Sequence, residues 1–186
     1  MNGFKYLIGC TLVVVLFITS TSCTYKPEKA EPVSNFQVER YLGTWFEIAR
    51  LDHSFEEGLS HVTATYALNE DGTIAVLNKG YDKEKMKWKS ADGKAKFRED
   101  QSVAALKVSF FGPFYSGYNV LALDKDYQYA LVAGKDFDYL WILSRTTDVP
   151  ENIKTKYLEL AKKVGYDTDK LLWVDQEEKT KGNNEG

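Results

Sequence analysis

From residue 44 to 144 the chain alternates apolar and polar residues in short runs separated by turn residues. In "AALKVSFF", Leu106, Val108 and Phe110 share one face while Lys107 and Ser109 share the other. In "HVTATYAL", Val62, Ala64, Tyr66 and Leu68 oppose His61, Thr63, Thr65 and Ala67. A period of two marks half-buried β-strands. The pattern predicts eight: 44–53, 61–68, 73–81, 86–97, 103–111, 118–124, 127–134 and 139–145. "NEDG" (69–72) joins two of them tightly, and "GPFYSG" (112–117) reads as a wider loop. Asp92-Gly93 has hairpin chemistry, but the flanking pieces are too short for two strands. One long strand with a bulge or bend at that point is expected.

Eight antiparallel strands that bury one apolar face and remove their edges do so most simply by closing into a barrel. A membrane-spanning barrel would turn its apolar face outward, where Lys87, Lys89, Lys96 and Lys107 would be costly. The expected fold is therefore all-β, an eight-stranded antiparallel up-and-down barrel with a polar exterior. A barrel of this size holds its own side chains or one small ligand.

Past the strands, Ile153, Tyr157, Leu160, Ala161 and Val164 recur at helical spacing. Asp148 as N-cap, Glu151 three residues on, and Gly165 as terminator bound one helix packed outside the barrel. "LLWV" (171–174) adds a short edge strand.

The termini have another character. Lys5 precedes the apolar run 6–18, about 13 residues long. A membrane-spanning helix needs roughly 20, so a cleaved signal over 1–22 fits better. Cys10 would leave with it, and Cys23 would be the lone cysteine of the remaining chain, unable to form an internal disulfide. Residues 24–35 carry Pro27, Pro32 and alternating charges and read as a tether. The end, 176–186, reads as a disordered polar tail. The domain between, 36–175, is about 140 residues, a single unit by length.

Net charge is −3, or −4 once residues 1–22, with one lysine and no acid, are removed. That argues against nucleic acid as a partner. There is no Gly-x-Ser-x-Gly, His-Glu-x-x-His or phosphate loop. His53 and His61, eight apart and flanking the first loop, are read as two loop-rim histidines and not as a shared metal site. No catalytic group, metal site or cofactor is expected.

Three blocks carry a resemblance: Gly43-Thr44-Trp45 opening the first strand, "LDKDYQYALV" with Asp124 and Tyr127 before the seventh, and "WILSRT" ending the eighth with Arg145. With these at their places on eight strands, the chain resembles the lipocalin family, and more closely its bacterial outer-membrane lipoprotein branch. The second block matches only in part. The resemblance covers about residues 35–175. It implies that Trp45 closes the barrel bottom with Arg145 against its ring, while Gly43 leaves room for the chain to cross beneath. It also implies a ligand cup whose wall includes Tyr66, Asn78, Leu106, Val108, Phe110 and Trp141.

The ligand implied is a fatty acid, such as palmitate, or a lysophospholipid, carried or stored at the envelope. Asn78 would bond a headgroup, a tyrosine hydroxyl or a water. Phe114, Tyr115 and Tyr118 could form a pocket rim, a homodimer patch or a lipid-facing surface. The signal resembles that of a bacterial lipoprotein, with Ser22 at the expected position and Ser20 in place of the usual Leu. Cys23 would then be lipidated and tether the protein to the outer membrane, on its periplasmic face. Thr24, where an inner-membrane-retained lipoprotein often has Asp, is consistent with that. The alternative at this end is ordinary cleavage that leaves Cys23 free. The alternative for the whole is a filled barrel with a structural or adhesion role.

Overall fold

A computed structural model describes residues 25–177. The signal segment, Cys23, Thr24 and residues 178–186 lie outside the described residues. Eight strands form the barrel: β1 Gly43–Leu51, β2 Leu59–Leu68, β3 Ile74–Asp82, β4 Lys87–Phe97, β5 Ala105–Phe111, β6 Phe114–Leu123, β7 Tyr129–Ala133 and β8 Leu140–Ser144. Consecutive strands pair antiparallel, and β1 pairs with both β2 and β8, which closes the sheet. A four-residue helix α1 (Val38–Tyr41) precedes β1. Helix α2 (Glu151–Val164) and β9 (Leu171–Trp173) follow β8, with β9 on the free flank of β1.

Two apolar layers hold this arrangement. Trp45, Tyr66, Val76, Leu106, Val120 and Leu143 belong to the interior. Outside the barrel, Tyr157, Ala161 and Val164 of α2 pack on Ile48, Leu131, Leu140 and Ile142. Alternation along β7 and β8 serves both layers, which is why their residues are buried on both faces.

Four local expectations are corrected. The 86–97 run is one strand, but β3 and β4 pair without a register shift from Ile74↔Ala95 to Asp82↔Lys87, so there is no bulge at Asp92-Gly93. The 112–117 segment is not a wide loop. Only Gly112 and Pro113 separate Phe111 from Phe114, and those two phenylalanines already pair. Helix α2 has no side-chain cap: Pro150 occupies the N-cap, and its carbonyl accepts the Ile153 and Lys154 amides. Asp148 instead accepts the Val149 amide, and Glu151 pairs with Lys154 at 2.7 Å. Leu68, on the apolar face of β2, is exposed at the end of its strand.

Residues 25–35 contain no helix or strand, yet they are fastened to the barrel through backbone. The Val33 amide donates to Val120 O, and the Ala104 amide donates to Val33 O, both at 2.9 Å. Ala30 is fully buried in the outer layer. Gln176, placed in the tail by the sequence reading, donates from Nε2 to the carbonyls of Glu47 and Val62.

Candidate functional site

The direction of β1, from Gly43 to Leu51, fixes the two ends of the barrel. The connections 69–73, 98–104 and 124–128 lie at the Gly43 end, and 52–58, 83–86, 112–113 and 134–139 at the other. At the first end α1 crosses the barrel and seals it. Trp45 is fully buried there, its Nε1 donating to Tyr41 O at 2.8 Å. The Arg145 guanidinium carbon stands 3.9 Å from the centre of the Trp45 ring, a cation–π contact. Nη1 of Arg145 donates to Thr44 O at 2.8 Å, and Nη2 to Arg40 O and Leu42 O at 2.9 and 2.8 Å. Asp124 receives the amides of Asp126, Gln128 and Tyr129 and so shapes the neighbouring turn, and the Tyr127 carbonyl accepts from Arg145 Nε.

Gly43 has a different reason from the one expected. A Cβ there would meet Arg145 Nη1 at 3.5 Å, an ordinary contact, so space is not the constraint. Its φ of +90° is, because side chains disfavour that conformation. Gly43→Ala is expected to lower unfolding free energy by about 1–2 kcal/mol, read from urea denaturation with an unchanged m-value. An unaltered midpoint would show that the backbone relaxes freely at this point.

From this floor a cavity of about 600 Å³ runs to the opposite end. Its lower part is lined by Val38, Leu42, Ala64, Val76 and Leu143, and its mouth by Phe55, Phe111 and Phe114. Tyr66, Asn78, Leu106, Val108, Phe110 and Trp141 all line it. Three tyrosines cross the interior: Tyr118 Oη lies 2.7 Å from Tyr41 Oη and 2.8 Å from Tyr66 Oη. Burial raises the pKa of all three hydroxyls, so they stay protonated and act as neutral donors and acceptors. Tyr118 therefore belongs to the interior and not to a rim cluster with Phe114 and Tyr115. Asn78 bonds no tyrosine: its Oδ1 is buried without a partner.

One polar cluster escaped the sequence reading. Glu47 lines the cavity and is buried, with Arg50 Nη1 donating to its Oε1 at 2.8 Å. Arg50, also buried, gives Nη2 to Glu56 O at 2.8 Å. Glu56 Oε2 accepts Trp141 Nε1 at 3.1 Å and stands 3.1 Å from His53 Nε2, close enough for an ion pair but outside hydrogen-bond alignment. Burial, and then the charge of Glu56, push the Glu47 carboxyl well above its ordinary range, with Arg50 opposing. A break in register between Glu47 and Ala49, where β1 pairs β8, sets Glu47 and Arg50 on one side of the strand despite their odd spacing.

The two histidines are separate. His53 is inside this cluster, whereas His61 bonds Ser60 Oγ and the Glu177 carbonyl. No group of three or more potential metal-ligating side chains occurs among the described residues.

The family model for a lipocalin-like domain matches residues 36–176. The chain is a lipocalin. Outer membrane lipoprotein Blc of Citrobacter freundii is 52% identical over 91% of this chain and 96% of its own length. The protein of the same name from Vibrio cholerae is 49% identical over 92% and 98%. Among solved structures, insecticyanin from Manduca sexta superposes with a TM-score of 0.65, covering 84% of this lipocalin and 89% of that chain at 20% identity, which speaks for the fold alone. In this lipocalin Trp45 and Arg145 stack at the closed end of the barrel, and the cavity opens at the other end.

Proposed function

We propose that this lipocalin is an outer-membrane, lipid-anchored carrier or store for a single-chain lipid, a fatty acid or a lysophospholipid. The carrying observation is the polarity gradient within one cavity. The lower wall is apolar apart from the three tyrosine hydroxyls, which bond one another, whereas Lys89 and Lys135 line the upper part together with Glu47 and Glu56 of the Glu47–Arg50–Glu56 cluster. An acyl chain enters tail first and leaves a carboxylate or phosphate near these lysines. A volume of about 600 Å³ lies within the usual range for a small-molecule site. Burial contributes about 0.8 kcal/mol per methylene before association costs, so micromolar affinity needs no elaborate polar recognition. Asn78 Oδ1, unpartnered on the wall, is available to a hydroxyl or amide of the ligand. The names of the bacterial relatives support the location, with Cys23 as the acylated residue. The continuous cavity favours this reading over a filled barrel with a structural or adhesion role. The reading includes no catalytic step.

The test uses the chain from residue 23 onward with Cys23→Ser, delipidated and refolded. Titration with palmitate and with lysophosphatidylcholine is expected to quench tryptophan emission at one-to-one stoichiometry. Trp141→Phe should remove most of the signal and weaken affinity about three- to tenfold, through lost wall contact and the lost bond to Glu56. No saturable response to either lipid, checked by native mass spectrometry, would transfer support to the filled barrel.

A further inference from the structure

Nine large apolar side chains are exposed among the described residues: six stand on the loops and strand ends of the open rim, Leu172 and Trp173 lie on β9 beside the mouth half of β1, and Leu68 alone stands at the closed end. Every connection there contributes. Phe55 belongs to the first, Met86 to the second with Trp88 just beyond it, Phe111 and Phe114 flank the third, and Phe137 belongs to the fourth. Met86, Phe111 and Phe114 are 78%, 81% and 79% exposed, values usual for a lysine and not for a side chain of this type. Phe55, Phe111 and Phe114 also line the cavity, so the exposed rim and the apolar interior are one continuous surface.

The path of the N-terminal segment adds an independent observation. The Tyr25 carbonyl accepts Asn119 Nδ2 at 2.9 Å and occupies the place a Cβ would take on Gly117, so no larger residue fits there. Gly117 is three residues from Phe114, at the mouth, and six from Leu123, at the closed end. At the rise of a strand this puts Tyr25 roughly 10 Å from the mouth edge and 20 Å from the floor. Cys23 precedes Tyr25 by two residues, which span at most about 7 Å. An acyl anchor at that point draws the mouth side of the barrel, not the floor, against the bilayer.

We propose that the open rim is a bilayer-docking surface, with Met86, Phe111 and Phe114 inserted at the boundary of headgroups and acyl chains and the cavity opening directly onto the membrane. Phe55 and Phe137 border the same contact, and the run Lys83–Lys89, with four lysines and one glutamate, meets the headgroups. Asp52, Glu57, Asp136 and Asp138 on the other rim loops offset that charge, so apolar insertion is the main attraction. The orientation rests on the lipid-carrier reading in one respect: it gives cargo a path between bilayer and cup that never crosses water.

The decisive experiment removes the anchor. The Cys23→Ser chain, delipidated, is floated with phosphatidylcholine–phosphatidylglycerol vesicles. It should rise with them, and Met86→Ser/Phe111→Ser/Phe114→Ser should reduce the partition coefficient about tenfold or more. The melting temperature of that variant should not change, because the three side chains are exposed. Leu68→Ser, which removes the exposed apolar side chain at the closed end, should leave flotation unchanged. A Phe114→Trp probe should be quenched by brominated acyl chains. Absence of flotation, or equal losses in the rim and Leu68 variants, overturns the proposal. Self-association abolished by the rim variant, without vesicle binding, also overturns it and assigns the rim to a dimer. Palmitate binding without flotation leaves the carrier reading and removes this one; flotation without palmitate binding does the reverse.

Discussion

Arg50→Met is expected to lower the unfolding free energy by about 3–5 kcal/mol at neutral pH, the range for removing one partner of a buried ion pair. The loss arises less from a missing attraction than from what is left behind. Glu47 would keep its buried position beside Glu56 without the guanidinium that now donates to it at 2.8 Å. The Glu56 carbonyl would lose its Nη2 donor as well. The same geometry gives the loss a pH signature. Glu47 already has a pKa raised on folding, from an ordinary value of 4.5, by burial first and by Glu56 second. A carboxyl of this kind stabilises the fold fully below its unfolded pKa and loses that contribution as pH rises through its folded one. Without Arg50 the folded pKa climbs further, so the variant recovers stability when Glu47 takes up a proton.

Urea denaturation should therefore show a smaller cost at pH 5 than at pH 8. Asp52 and His53 face the same cluster, so wild type and variant must be compared at each pH. Adding Glu47→Gln to Arg50→Met should offset part of the neutral-pH loss, giving a coupling of at least about 1 kcal/mol. Equal costs at both pH values, with additive single variants, would mean that Arg50 acts by packing alone.

This cluster also shows where sequence reading stops. Strict alternation from Trp45 places Glu47, Ala49 and Leu51 inward, and Glu47 was accessible to that logic: a charged residue two positions after a buried tryptophan. Arg50 was not. Its parity is wrong until the register breaks between Glu47 and Ala49, and the break depends on how β1 meets β8, a pairing more than 90 residues distant in the chain. Leu106, Val108 and Phe110 were legible as one inward face because β5 alternates, and all three line the cavity. Trp45 and Arg145 were legible as a pair only through the family resemblance, since no local pattern links residues 100 apart.

The N-terminal segment is the opposite case. Residues 25–35 have no period because they are held by backbone hydrogen bonds and by a gap over Gly117, neither of which requires a particular side chain in the segment. Nor could alternation foresee that Tyr118 sits inside while Phe114 is exposed. The residues at β6 positions 114, 116 and 118 share parity, but only the deeper one is walled in by Tyr41 and Tyr66.

At the closed end, Arg145→Ala is expected to cost about 3–4 kcal/mol, combining a cation–π contact of roughly 0.5–2 kcal/mol with charge-assisted bonds to carbonyls of about 1.5–3 kcal/mol, which do not add fully. Four acceptors depend on this one group: Arg40 and Leu42 at the end of α1, Thr44 in β1, and Tyr127 before β7. These elements have no other common partner of this kind, so the guanidinium joins the plug to the wall it seals. Partial burial lowers the Arg145 pKa while leaving the group charged at any physiological pH, so the loss should be independent of pH between 5 and 8, in contrast to Arg50. For a domain of this size the melting temperature should fall by about 10 °C. Arg145→Lys should recover little of it, because a single ammonium cannot address carbonyls on opposite sides of the fork while stacking on an indole. Arg145 does not line the cavity. Lipid affinity, compared at equal folded fraction, should therefore change by less than about twofold. Equal melting temperatures for wild type and Arg145→Ala would show that α1 and Trp45 close the barrel unaided, and an affinity loss exceeding the stability loss would move Arg145 from the floor into the ligand site.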